Sequence, residues 1–490
     1  MPTFEEQTVM VKSGAEYRES LRDGREVYYK GERIEDVVDH PLTGPGIDWN
    51  ARLYDAQHDD ETRDVLTYVR EDGARVTTVW LIPRTPEDLV RKRLCTEYMA
   101  WQTFAMTGRQ PDIIPWEHIG LISVLPTFRQ HSPEFAENLL EYNKFAQDNN
   151  LHLANTIIEP QGARARSAKA GEDRSAVLRV VRRDSTGVWI SGARAVGSVA
   201  AQANELMVGN IYYPHVRPDE SIWFATPVNS EGLSFVARDS VSTPHASSYD
   251  HPVTARGEET DAFCMFDEVY VPNDRIFALD APVLCDARLY SQTSRGTHWQ
   301  ILTRLACKAE LLAGLAQLIV EALELGEIPV IRDQVSKVSQ YAQVLRAGVI
   351  ASEQLATPSE GDVLLPDRSM IAAVRAYGLE NYPSIIQIVQ ELCGQGLVMR
   401  FSDRDFDHPT TGPKLEMYLG GEGMTARRRT LLMNLVWDVT ASSAAGRSAL
   451  LENLGGLPAN ILRQRLYNYY DRTPFIERIE QVVGERLRAG

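Results

Sequence analysis

The feature that most constrains the fold is the spacing of apolar residues, which changes twice along the chain. Residues 1–150 and 279–450 contain stretches such as "PEDLVRKRLCTEYMAWQTFAM" and "WQILTRLACKAELLAGLAQLIVEALELG". Their apolar residues recur every three or four positions, which is typical of amphipathic helices. Between them, "AVLRVV", "VWISGA" and "AFCMFDEVYVP" alternate and are separated by Gly, Pro, Asn and Ser, which predicts short strands with close turns.

This order predicts a mainly α protein with a central β domain. We expect an N-terminal helical domain over residues 1–150 and a small antiparallel β-barrel over 151–278. Four long helical patterns predict a C-terminal four-helix bundle over 279–450, followed by a helical tail over 451–490.

Composition excludes several classes of partner. The net charge of −16 argues against nucleic acid, because no basic stripe is available to displace counterions. No run approaches the ~20 apolar residues of a membrane span, and the opening "MPTFEEQTVM" lacks the apolar core of a signal peptide. The cysteines are scattered without a CxxC pair, so we expect a cytoplasmic protein without a metal site; they are Cys95, Cys264, Cys285, Cys307 and Cys393.

Common catalytic and nucleotide-binding motifs are absent from the sequence. We find no P-loop, no GxGxxG after a strand, no HExxH and no GxSxG. Two single residues stand out instead. Arg109 lies in the turn "TGRQPD", and His298 lies near the start of a predicted helix. From the residues alone, a surface ion pair for Arg109 and a structural role for His298 remain open.

Several longer stretches of the sequence narrow the choice of protein family. "YRESLRDGREVYYKGERIEDVVDHP", "RLYDAQHD", "TGRQPD", "LHLANTIIEPQGAR", "WISGARAVGS", "SSYDHPVTARGEETDAFCMFDEVYVPNDRIF", "RLACKAELLAG" and "VWDVTASSAAGR" follow one another in register. Together they resemble the 4-hydroxyphenylacetate 3-monooxygenase oxygenase family, whose fold is acyl-CoA dehydrogenase-like. His298 is more similar to the chlorophenol and nitrophenol 4-monooxygenase branch of that family.

The resemblance implies the oxygenase component of a two-component flavin-dependent monooxygenase. A separate NAD(P)H:flavin reductase would supply reduced FAD, and O2 would add to the flavin as a C4a-hydroperoxide. The distal oxygen would then hydroxylate a small aromatic substrate, a phenolic or hydroxypyridine ring, ortho or para to its hydroxyl. The resemblance also implies a homotetramer, and it explains the missing nicotinamide motif because NAD(P)H would be used on another chain.

The resemblance assigns roles residue by residue. His298 would take the phenolic proton, and Arg109 would place a positive charge near the reacting oxygen. The positions matching cofactor contacts are Asn155, Thr156, Ile157, Ile158, Gln161, Gly162, Ala163, Arg164, Gly197, Ser198, Ala445, Gly446, Arg447 and Ser448. The positions expected to contact substrate are Arg109, Ile113, Asn155, Ser247 and Ser248. For the small residues, a tight turn without cofactor contact is the alternative.

Two departures argue against 4-hydroxyphenylacetate as the substrate. The tyrosine of the family's GRxPDY stretch is Ile113 here, and a histidine before the EP pair is Asn155. A halogenated phenol, or a larger lipophilic phenol or hydroxypyridine from a biosynthetic pathway, fits the apolar replacement better. The alternatives left open are another flavin enzyme on this scaffold, either a dehydrogenase or a hydroxyacyl-CoA dehydratase, and a non-catalytic flavin-binding homologue.

Overall fold

The computed structural model describes residues 11–162, 175–210, 217–244, 246–421 and 423–487, with the side chains of 287 and 288 excepted. Seven α-helices lie before strand β5 (Leu153–Thr156) within this part of the chain: α1 Gly14–Glu19, α2 Gly44–Asp55, α3 Arg63–Leu66, α4 Pro86–Gln102, α5 Ile113–Ile122, α6 Leu125–His131 and α7 Pro133–Asp148. Helix α4 begins as its sequence predicts, because Thr85 and Asp88 form a capping box and Pro86 occupies the first helical position.

The strands form one large sheet and two small hairpins. The large sheet contains β1 Glu26–Tyr29, β2 Glu32–Ile34, β5 Leu153–Thr156, β6 Arg179–Arg183, β7 Gly187–Ser198, β8 Glu205–Val208, β9 Ile222–Pro227, β10 Leu233–Ala237, β11 Asp261–Pro272 and β12 Ile276–Leu279. Its order is β12-β9-β8-β5-β7-β11-β10-β1-β2, and β6 pairs with β7. The hairpins are β3 Thr67–Val69 with β4 Arg75–Thr77, and β13 Thr357–Pro358 with β14 Leu364–Leu365.

The sheet differs from the predicted barrel in two respects. The pairs β5–β8 and β1–β10 are parallel, so the sheet is mixed and not wholly antiparallel. Strands β1 and β2 come from the region predicted to be helical and extend the sheet at one edge. Their pairing joins residues about 200 positions apart, for example Val27 with Phe235. Local periodicity carries no signal for such a distant partner.

The helical region after the sheet is a bundle with an added tail. Its helices are α8 Ala287–Thr293, α9 Arg295–Ala322, α10 Pro329–Gln354, α11 Arg368–Cys393, α12 Asp403–Asp407, α13 Gly412–Leu419, α14 Ala426–Thr440, α15 Ser443–Leu454, α16 Ala459–Tyr469 and α17 Thr473–Val483. The fourth predicted helix is interrupted after Thr440, and Ser442 caps a new helix by accepting from the N–H of Ala445. None of the described helices is both long and apolar enough to cross a membrane.

Helix α5 connects the sheet to the bundle. All ten of its residues are buried, and it packs against α7 on one side and α9 on the other. The approach to α9 is close, because a Cβ atom on Gly296 would lie 2.1 Å from the Trp116 ring. Only glycine permits this contact without displacing the indole. The buried helix therefore fixes the first turn of α9, where His298 lies, relative to the "GRQPD" turn that precedes α5.

Candidate functional site

Two joined cavities lie where the sheet, α5 and the bundle meet. The larger is a cleft with a cavity volume of about 630 Å³ that runs between the sheet and α15, and the smaller is a chamber of about 30 Å³ beside α5. The two share five lining residues, which are Arg109, Asn155, Ile157, Tyr290 and Gly455. A flat ligand in the cleft would therefore face a small ligand in the chamber across this shared wall.

The cleft has apolar walls that the described residues leave uncovered. Val196 and Val236 on the sheet are 41% and 42% exposed, and Leu450 and Leu454 on α15 are 61% and 69% exposed. All four line the cleft, where they form two opposed apolar surfaces. Uncovered apolar side chains inside a cleft are typical of a ligand site and fit a planar aromatic ring.

One end of the cleft is strongly charged. Asp261 is the centre of this cluster and accepts hydrogen bonds from Arg447 Nη2 at 2.6 Å, Arg238 Nε at 2.7 Å and Ser198 Oγ at 2.5 Å. Arg447 also pairs with Glu259. Burial, with the neighbouring Arg238 and Arg109, lowers the pKa of Arg447 to about 9. Arg238 also pairs with Glu258, so each of the two arginines has a carboxylate partner.

The "GRQPD" turn is held in place through its backbone and its aspartate. Glu259 accepts the N–H of Gly108 at 2.8 Å and the N–H of Arg109 at 2.6 Å. Asp112 accepts from Thr96 Oγ1 at 2.5 Å and from Gln300 at 3.0 Å. These bonds leave the Arg109 side chain facing both cavities, and its Nε has no hydrogen-bond partner among the described residues.

The chamber is apolar except for a few polar atoms. Its apolar lining consists of Ile113, Ile114, Leu121, Ile157 and Trp223. Four other lining residues each carry a buried polar atom without a hydrogen-bond partner in the described part of the chain: Arg109 Nε, Glu117 Oε1, Ser294 Oγ and Thr297 Oγ1. Buried polar atoms are almost always paired in folded proteins, so a polar ligand or ordered water in the chamber would supply the missing partners.

Glu117 is the carboxyl group of the chamber. It lies in the middle of α5 at 9% exposure, and its Oε2 accepts a hydrogen bond of 2.5 Å from Asn155 Nδ2. Burial raises the pKa of Glu117 to about 7, although the charge of Arg109 and the Asn155 bond oppose this shift. The carboxyl group therefore changes protonation state near neutral pH.

His298 is buried between two arginines and is not among the residues lining either cavity. Arg375 contacts its Nδ1, and Arg465 Nη1 of the tail lies 3.4 Å from its Nε2. Burial and the charges of Arg375 and Arg465 hold the pKa of His298 well below its usual range. The imidazole is therefore neutral at pH 7. Its role as proton acceptor stays a prediction.

The remaining predicted residues divide into two groups. Asn155, Ile157, Ile158, Ser198 and Arg447 line the cleft, and β5 pairs with β7 so that Asn155 lies beside Ser198. Ile113 lines the chamber. The residues that line neither cavity are Thr156, Gln161, Gly162, Gly197, Ala445, Gly446, Ser448, Ser247 and Ser248.

The second group has identifiable surroundings. Ser448 points into the bundle, where Lys308 Nζ donates to its Oγ at 2.7 Å. Gly197 packs against Cys264, since a Cβ there would lie 2.5 Å from the sulfur. Ser247 and Ser248 are exposed. Ala163 and Arg164 lie outside the described residues, so their predicted cofactor contacts stay predictions.

Sequence inspection did not identify Glu117, Tyr290, Arg375 and Arg465 as candidates. For Glu117 a signal exists. It lies in "IIPWEHIGLI", where apolar residues occupy every face of the helix, and a glutamate in such a helix is buried. Tyr290 and the two arginines have no comparable local signal, because distant parts of the chain bring them to the site.

The fold and the joined cavities define a mainly helical protein with a central β domain and a ligand-sized cleft between the sheet and the bundle. Residues 13–278 match the family domain described as 4-hydroxyphenylacetate 3-hydroxylase N terminal, and residues 288–484 match the corresponding C-terminal domain. The chain therefore belongs to this family, as its sequence motifs predict.

Two relatives and a solved structure are similar to this chain over nearly its whole length. The 4-hydroxyphenylacetate 3-monooxygenase oxygenase component of Thermus thermophilus is 32% identical, covering 98% of both chains. The oxygenase component of 4-nitrophenol 4-monooxygenase/4-nitrocatechol 2-monooxygenase of Rhodococcus opacus is 30% identical, covering 97% of this chain and 91% of the relative. The crystal structure of the oxygenase component (HpaB) of 4-hydroxyphenylacetate 3-monooxygenase, complexed with FAD and 4-hydroxyphenylacetate, gives a TM-score of 0.89 at 31% identity. That alignment covers 97% of this chain and 98% of the other. The predicted fold class, a mainly α protein with a central β domain, is thereby confirmed, with a mixed sheet in place of the antiparallel barrel.

Proposed function

We propose that this chain is the oxygenase component of a two-component aromatic monooxygenase that uses reduced FAD and O2 to hydroxylate a phenolic or hydroxypyridine ring. The observation that supports this function best is the arrangement of the two cavities. A large apolar cleft that suits a flavin shares a wall with a smaller chamber that contains a few polar groups. A separate NAD(P)H:flavin reductase supplies the reduced FAD.

The residues of the cleft fit FAD. The opposed apolar surfaces suit the flat ring, and Arg447, Arg238 and Ser198, which pair with Asp261, form a polar end of the cleft that suits the polar parts of the cofactor. When bound, reduced FAD supplies the electrons that activate O2 for transfer of one oxygen atom to the ring. The chain holds the cofactor and substrate against each other across the shared wall, and it excludes water from the chamber.

The polar groups around the chamber control charge during the reaction. A phenol becomes a strong carbon nucleophile when its hydroxyl proton leaves, and a fixed cation stabilises the phenolate oxygen. Arg109 is placed for this role, because its side chain faces both cavities and its backbone is anchored separately to Glu259. Ile113 and the other apolar residues favour a substrate ring without an acidic substituent at that wall.

The first prediction tests whether NADH oxidation and ring hydroxylation take place on two different chains. The pure protein mixed with NADH should consume no more NADH than buffer. Supply of reduced FAD, by photoreduction or by an added flavin reductase, should give hydroxylated product from a panel of phenols and hydroxypyridines, detected by mass spectrometry. As a negative control, Leu450→Trp places a larger side chain between the two opposed apolar surfaces of the cleft and should abolish FAD binding. Rapid NADH oxidation by the chain alone would contradict the proposal, and reoxidation of FAD without product from any ring would favour a dehydrogenase, a dehydratase or a non-catalytic flavin-binding protein.

We also propose that the chain assembles as a homotetramer. The tail helix α17 supports this, since Phe475, Ile479, Val482 and Val483 lie on one face and are exposed. A face of this kind is costly to leave in water and is covered by another copy in many symmetric oligomers. Multi-angle light scattering at micromolar concentration should give four times the mass of the chain, and Val482→Asp/Val483→Asp should shift the distribution to smaller species, whereas Glu477→Ala should not. A monomeric wild type would contradict this proposal.

A further inference from the structure

The chamber contains a single carboxyl group among its described lining residues, that of Glu117, and one of its two oxygens has no hydrogen-bond partner there. Glu117 Oε2 is occupied by Asn155, whereas Oε1 is buried without a hydrogen bond. Leaving a buried carboxylate oxygen unpaired is expensive. A ligand that brings an O–H or N–H to Oε1 removes this cost, and every substrate of the proposed reaction carries a ring hydroxyl.

The surroundings of Glu117 suit proton transfer. The charged or titratable groups that face it are Arg109, from the turn before α5, and Tyr290 from α8. Burial raises the pKa of Glu117 to about 7 and that of Tyr290 to about 12, so near neutral pH the carboxyl group is the member of this pair that titrates. An acceptor whose pKa lies near the working pH is the most effective general base.

The acceptor predicted from sequence is less well placed. Arg375 is permanently charged and contacts His298 Nδ1, so the ring hydrogen of a neutral imidazole must lie on Nε2. Nε2 in turn faces Arg465 at 3.4 Å. A positive charge gained by the ring on taking up a proton would then lie between two guanidinium groups. His298 is better explained as a positioning residue that orients Arg375 and the tail.

We propose that Glu117 is the proton acceptor for the ring hydroxyl of the substrate, an inference that rests on the proposed monooxygenase function. The O–H bond of the substrate breaks, the proton moves to Glu117 Oε1, and the electron pair remains on the phenolic oxygen, where Arg109 stabilises it. Glu117 becomes a neutral carboxylic acid, still bonded to Asn155, and the ring carbons ortho and para to the oxygen gain nucleophilicity.

The experiment compares two phenols that differ in acidity. At pH 8, 4-nitrophenol is largely ionised in solution, whereas 4-ethylphenol keeps its proton. With reduced FAD and O2, Glu117→Gln should lower product formation from 4-ethylphenol by about 10²–10⁴-fold, the usual effect of losing a positioned base. The loss for 4-nitrophenol should be under about tenfold, since this substrate needs no base. The uncoupled reaction should release hydrogen peroxide, and Glu117→Asp should restore part of the activity.

A second measurement needs neither flavin nor oxygen. Equilibrium binding of 4-ethylphenol to the FAD-free protein should tighten as the pH rises through about 7 in the wild type, because a carboxylate accepts the hydroxyl hydrogen bond more strongly than the neutral acid does. Glu117→Gln should show no such pH dependence. Glu353→Gln is the matched control: Glu353 is also buried with a pKa raised to about 7, but it lies in the bundle and pairs with Arg93. It should retain both the wild-type binding profile and the ratio of the two phenols.

Each possible result distinguishes a proton-accepting role of Glu117 from a structural one. Equal losses for both phenols, or a wild-type pH profile of binding in Glu117→Gln, would overturn the proposal and leave Glu117 a structural residue. A selective loss with 4-ethylphenol in His298→Ala but not in Glu117→Gln would return the base to His298. If the wild type oxidises neither phenol, the proposed function fails for these rings, while the binding measurement still decides whether Glu117 accepts the hydroxyl.

Discussion

Replacing Glu452 with alanine is expected to lower the free energy of unfolding by about 3–5 kcal/mol, the usual cost of leaving buried charges unpaired. Glu452 lies on α15 and accepts two hydrogen bonds from Arg304, at 2.5 and 2.8 Å, and one from Lys308 at 2.9 Å. All three side chains are buried. Truncation would leave a guanidinium and an ammonium group without a counter-charge inside the bundle.

The same cluster predicts a dependence of stability on pH. Arg304 and Lys308 outweigh the desolvation of Glu452 and depress its pKa to about 2. A carboxyl group whose pKa is lower in the folded state stabilises the protein above its unfolded pKa, and this contribution is lost as the pH falls toward 2. The difference in unfolding free energy between wild type and Glu452→Ala should therefore be largest at neutral pH and should shrink in acid.

Urea denaturation at pH 7 and at pH 3 measures both effects. Glu137→Ala, on the exposed face of α7, serves as control and should change the free energy by less than about 0.5 kcal/mol. The triple variant Arg304→Met/Lys308→Met/Glu452→Leu should be close to wild type, because it removes the charges together with their partner. A loss below about 1 kcal/mol in Glu452→Ala would show that the cluster is more hydrated than its burial indicates.

This cluster also explains how the bundle shapes the cleft. Leu450, Leu451 and Leu454 line the cleft on one face of α15, and Ser448 and Glu452 point into the bundle on the opposite face. Consecutive residues of an α-helix are rotated by about 100°. For this reason the "AAGRS" match identified a helix that borders the cleft, but only Arg447 of its four predicted residues lines it.

The fold was predictable wherever local periodicity determines the element. The long helices α4, α7, α9, α10 and α11 follow their apolar stripes closely. The break between α14 and α15 was not predicted, although Ser442 offered a capping signal, because "TASSAAG" combines small residues that helices tolerate with residues that end them. The edge strands β1 and β2 depend on pairing with β10, which no local pattern reveals.

The site was predictable to the extent that its residues occur in distinctive sequence motifs. Arg109, Asn155, Ser198 and Arg447 were all identified from motifs, and the structure brings them to the same cleft. For His298 the motif gave the position but not the surroundings. Arg375 and Arg465 come from α11 and α16, and their approach depends on how the bundle and the tail pack.

Replacing Arg109 with alanine is expected to lower hydroxylated product by about 10²–10³-fold, the usual effect of removing one preorganised charge from a closed site. The backbone of the turn should stay in place, because Glu259 holds the N–H groups of Gly108 and Arg109 and not the guanidinium. Reduced FAD should then be consumed with release of hydrogen peroxide in place of product. The effect should differ in kind from that of Glu117→Gln, since an acidic phenol or a higher pH replaces a base but cannot replace a cation.

Single-turnover mixing of the reduced-FAD complex with O2 measures this as the ratio of product to hydrogen peroxide for 4-nitrophenol and 4-ethylphenol. Both phenols should lose product alike in Arg109→Ala, and Arg109→Lys should recover part of it, because a lysine restores charge without the planar donor geometry of arginine. Arg129→Ala, an exposed position on α6, should behave as the wild type. If Arg109→Ala couples oxygen to product as the parent does, then the side chain plays no part in the oxygen transfer. The unpartnered Nε at the shared wall would then need another explanation, such as a direct contact with the cofactor, which a parallel measurement of FAD affinity would reveal.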